Sequence, residues 1–203
     1  YDYFKINNDR LGVVIADVSG KGVPASLITA MCRSVVRANA INNDCPADVL
    51  KKVNRQLFPD IREDMFISLA YAIVEAKTGI IKIARAGHDA PLHYSLNTET
   101  IVPINAPGIA IGIDSGDVFD NTIQSIELNL VKGDLLLLYT DGINEASDIR
   151  GEEFGTTRLH ETLADSHNLG AENIVKKIKD EVLSFSGEVP QNDDITLIAV
   201  EKI

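Results

Sequence analysis

Apolar residues follow two different spacings along this chain, one typical of strands and one typical of helices. Contiguous or alternating apolar runs predict strands, and the four leucines at 135–138 are typical of a strand buried on both faces. The polar turn at residues 76–79 predicts a hairpin between two of these strands. Strands are predicted at residues 1–7, 11–17, 65–74, 80–84, 92–96, 123–130, 135–138 and 195–200.

Apolar residues at helical spacing predict four helices, which follow one another in two pairs. They are predicted at residues 24–40, between Pro46 and Pro59, at 157–167 and at 171–185. The apolar residues of the first helix that are expected to face the interior are Leu27, Ile28, Met31, Val35 and Ala38. Strands outnumber helices, so the pattern predicts an α+β fold with two antiparallel sheets, each flanked by a helix pair.

Residues 103–117 form a long connection rich in proline, glycine and aspartate. No helix or strand is predicted within it. A connection of this length is either a mobile functional loop or an ordinary surface connection, and the sequence leaves both interpretations open.

Composition and charge narrow the function classes. The chain has 203 residues, 45% of them hydrophobic, which predicts one globular domain with a sizeable core. Its net charge of -11 argues against nucleic acid or an anionic membrane surface as a partner, and no apolar run approaches the length of a membrane span. Cys32 and Cys45 lack zinc or redox spacing and are expected to be reduced thiols of a cytoplasmic protein.

Three aspartates lie where strongly apolar strands meet glycine-rich or polar loops. Asp17 precedes Gly20 and Gly22, whose missing Cβ atoms allow a tight turn into the first helix. Asp141 follows the four leucines, and Asp193 precedes the last strand. Clustered carboxylates repel one another unless a cation compensates them, and Mg²⁺ or Mn²⁺ prefers such oxygen ligands. The alternative interpretation of Asp17 is a residue that only caps the turn or helix.

Four motifs in one order carry a resemblance to a known family. They are DVSGKG at 17–22, RAGHDAPL at 85–92, YTDGINEA at 139–146 and NDDIT at 192–196. Together they resemble the metal-dependent serine/threonine protein phosphatases of the protein phosphatase 2C type. Within that group, they resemble the bacterial branch of the sporulation stage II protein E domain and the stress-response phosphatases. The resemblance runs through nearly the whole chain and implies a four-layer αββα sandwich.

The resemblance also implies the composition of an active site. Asp17 would bridge two Mn²⁺ or Mg²⁺ ions, the Val18 carbonyl would add a backbone ligand, and Asp141 and Asp193 would complete the site. The three aspartates would thereby be the catalytic residues. Two cations of this kind activate water for direct attack on a phosphate, so no covalent phosphoenzyme is needed. Consistent with this, the sequence contains neither a Cys-x5-Arg phosphatase loop nor a Walker P-loop.

Five residues in or beside these motifs have less certain roles. His88 is either a general acid or, the favoured interpretation, a structural hydrogen-bonding residue. Asp194 is expected to support the metal ligands without binding metal itself, and Glu145 to cap or orient its own turn. Lys21 is either a phosphate ligand or a solvated loop lysine. Ser19 has no adjacent histidine that would make it a nucleophile.

The function implied by the resemblance is hydrolysis of phosphoserine or phosphothreonine on a regulatory protein. In this bacterial branch the expected substrate is an anti-anti-sigma-type regulator, which places the chain in sigma factor regulation and stress signalling. The alternative is a catalytically weak pseudophosphatase that acts as a partner-binding signalling module. A metal-dependent nuclease or phosphodiesterase conflicts with the net charge of -11 and the absence of a basic groove.

The first residues of the chain resemble the end of the family's first strand, whose preceding acid helps to bind metal. Residues 1–203 are therefore predicted to be a single phosphatase domain, truncated at its N-terminus, from a longer multidomain regulator. An upstream sensor or receiver domain is the expected regulatory partner, and a homodimer is left open. Neither nucleic-acid binding nor direct membrane insertion is expected.

Overall fold

Nine strands and five α-helices follow one another in the computed structural model, which describes residues 1–203. The strands are β1 (Asp2–Lys5), β2 (Arg10–Val18), β3 (Ile67–Glu75), β4 (Ile80–Ala86), β5 (Leu92–Ser95), β6 (Thr100–Pro103), β7 (Ser125–Asn129), β8 (Leu135–Tyr139) and β9 (Leu197–Glu201). The helices are α1 (Val23–Ala40), α2 (Pro46–Leu57), α3 (Asp117–Thr122), α4 (Gly155–Ser166) and α5 (Ala171–Ser186). The chain forms two compact units, residues 1–90 with 105–129 and residues 91–104 with 130–203.

The first unit contains a five-stranded antiparallel sheet in the order β1-β2-β3-β4-β7. Strands β2 and β3 pair along their whole length, and this register ends with Val18 opposite Ile67. Helices α1 and α2 cover one face of the sheet, and their apolar residues share a core with Val14 and Tyr71. The long β2–β3 ladder therefore fixes the position of the residues at the end of β2.

Helix α1 packs on the core through a narrow stripe of residues one turn apart. The buried residues are Ile28, Cys32, Val36 and Ala40. The predicted apolar face was partly wrong. Leu27 is 60% exposed and Ala38 is also exposed, whereas Ile28 is buried and Met31 and Val35 are half-buried against the core. Most of the helix surface is apolar or small, and its only charged residues are Arg33 and Arg37. The period of the apolar residues therefore did not determine which side of the helix is covered.

The second unit contains a four-stranded antiparallel sheet in the order β6-β5-β8-β9, with α4 and α5 packed beside it. All five residues of β8 are buried, as the run of leucines predicted. Strand β9 was also expected to be buried, but its residues are all half-exposed. The difference arises because β9 is an edge strand with a neighbour on one side only.

The connection at residues 103–117 is held against the first unit by side-chain hydrogen bonds. Asn54 of α2 is buried, donates to the Asp114 carbonyl (2.9 Å) and accepts from the Gly112 amide (3.0 Å). The Asp114 carboxylate accepts the amide of Phe119 (3.0 Å) in the first turn of the unpredicted helix α3, and this bond is the main cause of the lowered pKa of Asp114. The ordinary-connection interpretation therefore fits this segment better than a mobile loop. Strand β6 was the other element that the sequence did not predict.

Two antiparallel sheets with accompanying helices confirm the predicted α+β class. No helix of the chain is both long and apolar enough to cross a bilayer. Both cysteines are free thiols, as expected, and burial raises the pKa of Cys32 to about 12, which disfavours the thiolate form. A single domain spanning residues 1–203 stays a prediction.

Candidate active site

In the first unit, Asp17 lies near the end of β2, directly opposite Ser68 of β3. Its side chain is half-buried. The chain beyond it is tied to the start of β3, because the Ser19 amide donates to the Phe66 carbonyl (3.0 Å) and the Phe66 amide donates to Ser19 Oγ (2.7 Å). Ser19 thus has a structural role, in agreement with the absence of an adjacent histidine.

The turn between Asp17 and α1 depends on two glycines. Gly20 and Gly22 have φ values of 92° and 79°, a region that residues with a Cβ rarely adopt. Pro24 lies in the first turn of α1, where its missing N–H does not interrupt helical hydrogen bonds. The predicted strand–turn–helix arrangement around Asp17 is present.

His88 is buried beside the strand pair that positions Asp17. Its Nδ1 lies 2.9 Å from Ser68 Oγ, and only 4% of the residue is exposed. The backbone around it is also fixed, because the Gly87 amide donates to the Gly108 carbonyl (3.1 Å) and Arg85 donates to the His88 carbonyl. Burial and this hydrogen bond support the structural interpretation of His88.

Replacing Ser68 with alanine is expected to lower the free energy of unfolding by about 1–2 kcal/mol, because a half-buried hydrogen bond to His88 is lost. Urea unfolding followed by circular dichroism measures the change. Ser34→Ala is the matched control, since the Ser34 hydroxyl only bonds back to Ala30 on the exposed side of α1. Equal stabilities of the two variants would show that the Ser68–His88 contact does not contribute.

In the second unit, Asp141 and Asp193 lie at the same end of one strand pair. Asp141 follows β8, Asp193 precedes β9, and Tyr139 pairs with Leu197 where the ladder ends. The Thr140 amide extends the pairing by donating to the Thr196 carbonyl (3.1 Å). Asp141 and Asp193, which are far apart in sequence, therefore lie on neighbouring loops.

Thr140 and Gly142 hold these two loops against each other. The Thr140 hydroxyl donates to the Asp194 carbonyl (2.7 Å) and accepts from the Thr196 amide (2.9 Å). A Cβ on Gly142 would lie 2.5 Å from the Asp194 carbonyl oxygen, which is far inside van der Waals contact. Only glycine at position 142 therefore allows the two loops to come this close. The role of Thr140 in holding the loops together could not be detected from the hydrophobic pattern.

The donor groups at this end of the second unit suit a hard divalent cation. Asp141 is half-buried, Asp193 is exposed, and both offer carboxylate oxygens. The Asp194 amide donates to Asp193 Oδ1 (2.7 Å), which orients that carboxylate. Within residues 1–203, however, no three His, Cys, Asp or Glu side chains are grouped as a ready-made metal site. Coordination by Asp17, Asp141 and Asp193 together, with the Val18 carbonyl, therefore stays a prediction.

The other residues singled out from the sequence have varied surroundings. The Glu145 amide donates to the Asp141 carbonyl (2.9 Å), which fits the expected place of Glu145 in that turn. Lys21 and Asp194 are exposed. The only Asp194 groups with a described hydrogen bond are its backbone carbonyl and amide, so its expected supporting role stays a prediction.

Comparison with known proteins agrees with this architecture. The phosphoserine phosphatase RsbU of Bacillus subtilis is 28% identical over 202 residues, which cover 100% of this chain and 58% of RsbU. The chain thus spans little more than half the length of that relative.

Solved structures share the fold. The SiaA-PP2C domain of Pseudomonas aeruginosa aligns with a TM-score of 0.83 and 22% identity, over 98% of this chain and 78% of that one. RsbX in complex with magnesium aligns with a TM-score of 0.67 and 14% identity, over 98% and 84% of the two chains. At these identities the likeness concerns the fold alone, and it confirms the predicted fold class.

A family model covers almost the entire sequence. The model for stage II sporulation protein E matches residues 7–202, a range that contains all four of the motifs at 17–22, 85–92, 139–146 and 192–196. This match confirms the resemblance that those motifs indicated. The chain belongs to the stage II sporulation protein E (SpoIIE) family.

Proposed function

We propose that this chain hydrolyses phosphoserine or phosphothreonine on a regulatory protein in a reaction that depends on Mn²⁺ or Mg²⁺. The proposal rests mainly on one observation. At one end of the β8–β9 pair, Thr140 and Gly142 hold the Asp141 and Asp193 loops together. Both loops offer carboxylate oxygens, which are the ligands that a hard divalent cation prefers. Membership of the SpoIIE family adds support, because its relative RsbU is a phosphoserine phosphatase.

The proposed ligands of two divalent cations are the carboxylates of Asp17, Asp141 and Asp193 and the carbonyl of Val18. When bound, such cations supply activation of an attacking water and compensation of the negative charge on a phosphate. The role of the chain is to hold the carboxylates in place. Asp193 is oriented by the Asp194 amide, and Asp17 is held by the β2–β3 ladder. Magnesium in the structure of RsbX, a protein of the same fold, is consistent with this choice of ion.

The proposed substrate is a phosphorylated regulator of anti-anti-sigma type, and the proposed setting is cytoplasmic bacterial stress signalling. We further propose that residues 1–203 act as one phosphatase domain within a longer protein, where a sensor or receiver domain regulates it. These parts of the proposal rest on the family, since the chain spans 58% of RsbU. A homodimer of this domain is compatible with the proposed regulation.

Turnover and metal binding should be measured separately. We expect the chain to hydrolyse p-nitrophenyl phosphate and a phosphoserine peptide only with added Mn²⁺ or Mg²⁺, and to lose this activity in EDTA. Isothermal titration with Mn²⁺ alone should detect binding that weakens in the Asp17→Asn and Asp193→Asn variants. Undiminished turnover in EDTA would contradict the proposed mechanism, whereas Mn²⁺ binding without turnover would favour the pseudophosphatase.

A further inference from the structure

A cleft of about 410 Å³ lies beside Asp193 in the second unit. Its size falls within the range of about 300–1,000 Å³ that is usual for ligand sites. One wall is the segment 145–153, and the other is the last turn of α5 with the loop 187–193. We call it the α5 cleft.

The first wall of the α5 cleft is a hairpin held by hydrogen bonds. The Asp148 carboxylate accepts the amides of Arg150 (2.8 Å) and Glu152 (2.9 Å), and the Glu152 amide is the main cause of the lowered pKa of Asp148. Ser147 and Glu153 form an isolated β-bridge across the hairpin. A site built on such a wall needs little ordering when a ligand binds.

The second wall offers apolar surface. Leu183 in the last turn of α5 lines the cleft and is 47% exposed. Val189 and Pro190 continue the apolar surface beyond the helix end. An exposed leucine on a concave surface gains most from burial against an apolar side chain of a partner.

The charged groups of the α5 cleft all have one sign. They are Glu145, Glu153 and Asp193, and neither lysine nor arginine lines the cleft. Away from the proposed metal ligand Asp193, the carboxylates of Glu145 and Glu153 disfavour an anionic group and attract a cationic one. A second copy of this chain is a poor occupant, since the chain carries a net charge of -11.

We propose that the α5 cleft binds the polypeptide segment next to the phosphorylated residue of the protein substrate, and that it selects an apolar residue adjacent to lysine or arginine. The apolar residue packs on Leu183, and the cation lies near Glu153. This inference rests on the proposed function, because the position of Asp193 at one end of the cleft would place the docked segment beside the reacting phosphate. It adds a specificity surface to that function.

Two fluorescein-labelled phosphoserine peptides test the inference, one with Leu-Lys beside the phosphoserine and one with Ser-Glu. We expect the wild-type chain to show a kcat/KM and an affinity at least about tenfold higher for the Leu-Lys peptide. Glu153→Lys should remove that preference while leaving turnover of p-nitrophenyl phosphate unchanged. Glu188→Lys is the matched control, since Glu188 is exposed in the same region but does not line the cleft.

Fluorescence anisotropy keeps this test separate from the proposed function, because it measures peptide binding without turnover. If p-nitrophenyl phosphate is not hydrolysed but the Leu-Lys peptide binds more tightly, the docking surface stands and the catalytic proposal fails. Equal affinity of the wild-type chain for both peptides overturns the α5 cleft as a substrate site. Equal losses in the Glu153→Lys and Glu188→Lys variants do the same.

Discussion

Asp141→Asn is expected to reduce metal-dependent turnover of p-nitrophenyl phosphate by about a hundredfold or more. Asparagine keeps the shape of the side chain but lacks the negative charge that binds a hard cation. Loss of a group that only supports a metal ligand already costs about 10- to 100-fold, so loss of a ligand should cost at least the upper part of that range. Initial rates over a Mn²⁺ titration measure the effect.

The matched control for this substitution is Asp180→Asn. Asp180 is an exposed aspartate of α5 that does not line the α5 cleft, so its variant should keep the wild-type rate. Circular dichroism should show that Asp141→Asn is folded. A folded Asp141→Asn variant with an unchanged rate would remove Asp141 from the proposed metal ligands.

Gly142→Ala is expected to destabilise the second unit, because the added methyl group would meet backbone atoms. The new Cβ would lie 2.5 Å from the Asp194 carbonyl oxygen, so the loops that carry Asp141 and Asp193 must move apart. We expect a loss of about 1–3 kcal/mol in the free energy of unfolding, as for other overpacked sites. Turnover should fall on the order of a hundredfold, because displacement of a catalytic group by about 1 Å has that cost.

Gly151→Ala is the control for the backbone effect of adding a methyl group. No atom lies within 4 Å of the Cβ position at Gly151, whose φ is 77°. Its cost should therefore be left-handed backbone strain of about 1–2 kcal/mol, without a large change in the turnover of p-nitrophenyl phosphate, which does not need the α5 cleft. Urea unfolding and initial rates of both variants decide the question. If Gly142→Ala retains full turnover, the close contact between the two loops is not needed for activity.

The order of the strands and helices could be predicted from the sequence, because each element depends on a local pattern of residues. The leucines of β8 and the proline near the start of α1 identified their elements correctly. The glycines after Asp17 predicted the tight turn, since their positive φ values are a property of the residue type. Short elements at chain connections were missed, among them α3, whose first turn depends on capping by Asp114.

The buried and exposed faces of each element were harder to predict from the sequence, because they depend on what lies next to that element. Leu27 is as hydrophobic as Ile28, yet it is 60% exposed whereas Ile28 is 7% exposed. Strand β9 is apolar except for Glu201, but its place at the edge of the sheet leaves all of its residues half-exposed. Hydrophobicity favours the burial of a residue, but the packing of the chain determines which apolar residues are buried.

For the candidate site, the sequence by itself determined the chemistry of the proposed metal ligands and the local turns on which they lie. It identified Asp17, Asp141 and Asp193 as acids at strand ends, and the motif order indicated the family. Only the tertiary structure decided that Thr140 and Gly142 bring the second and third acidic loops into contact and that Ser68 and His88 lie behind the first. The physical reason is that hydrogen bonds and close contacts between residues twenty or more positions apart have no local pattern, because strand register creates them when the sheet forms.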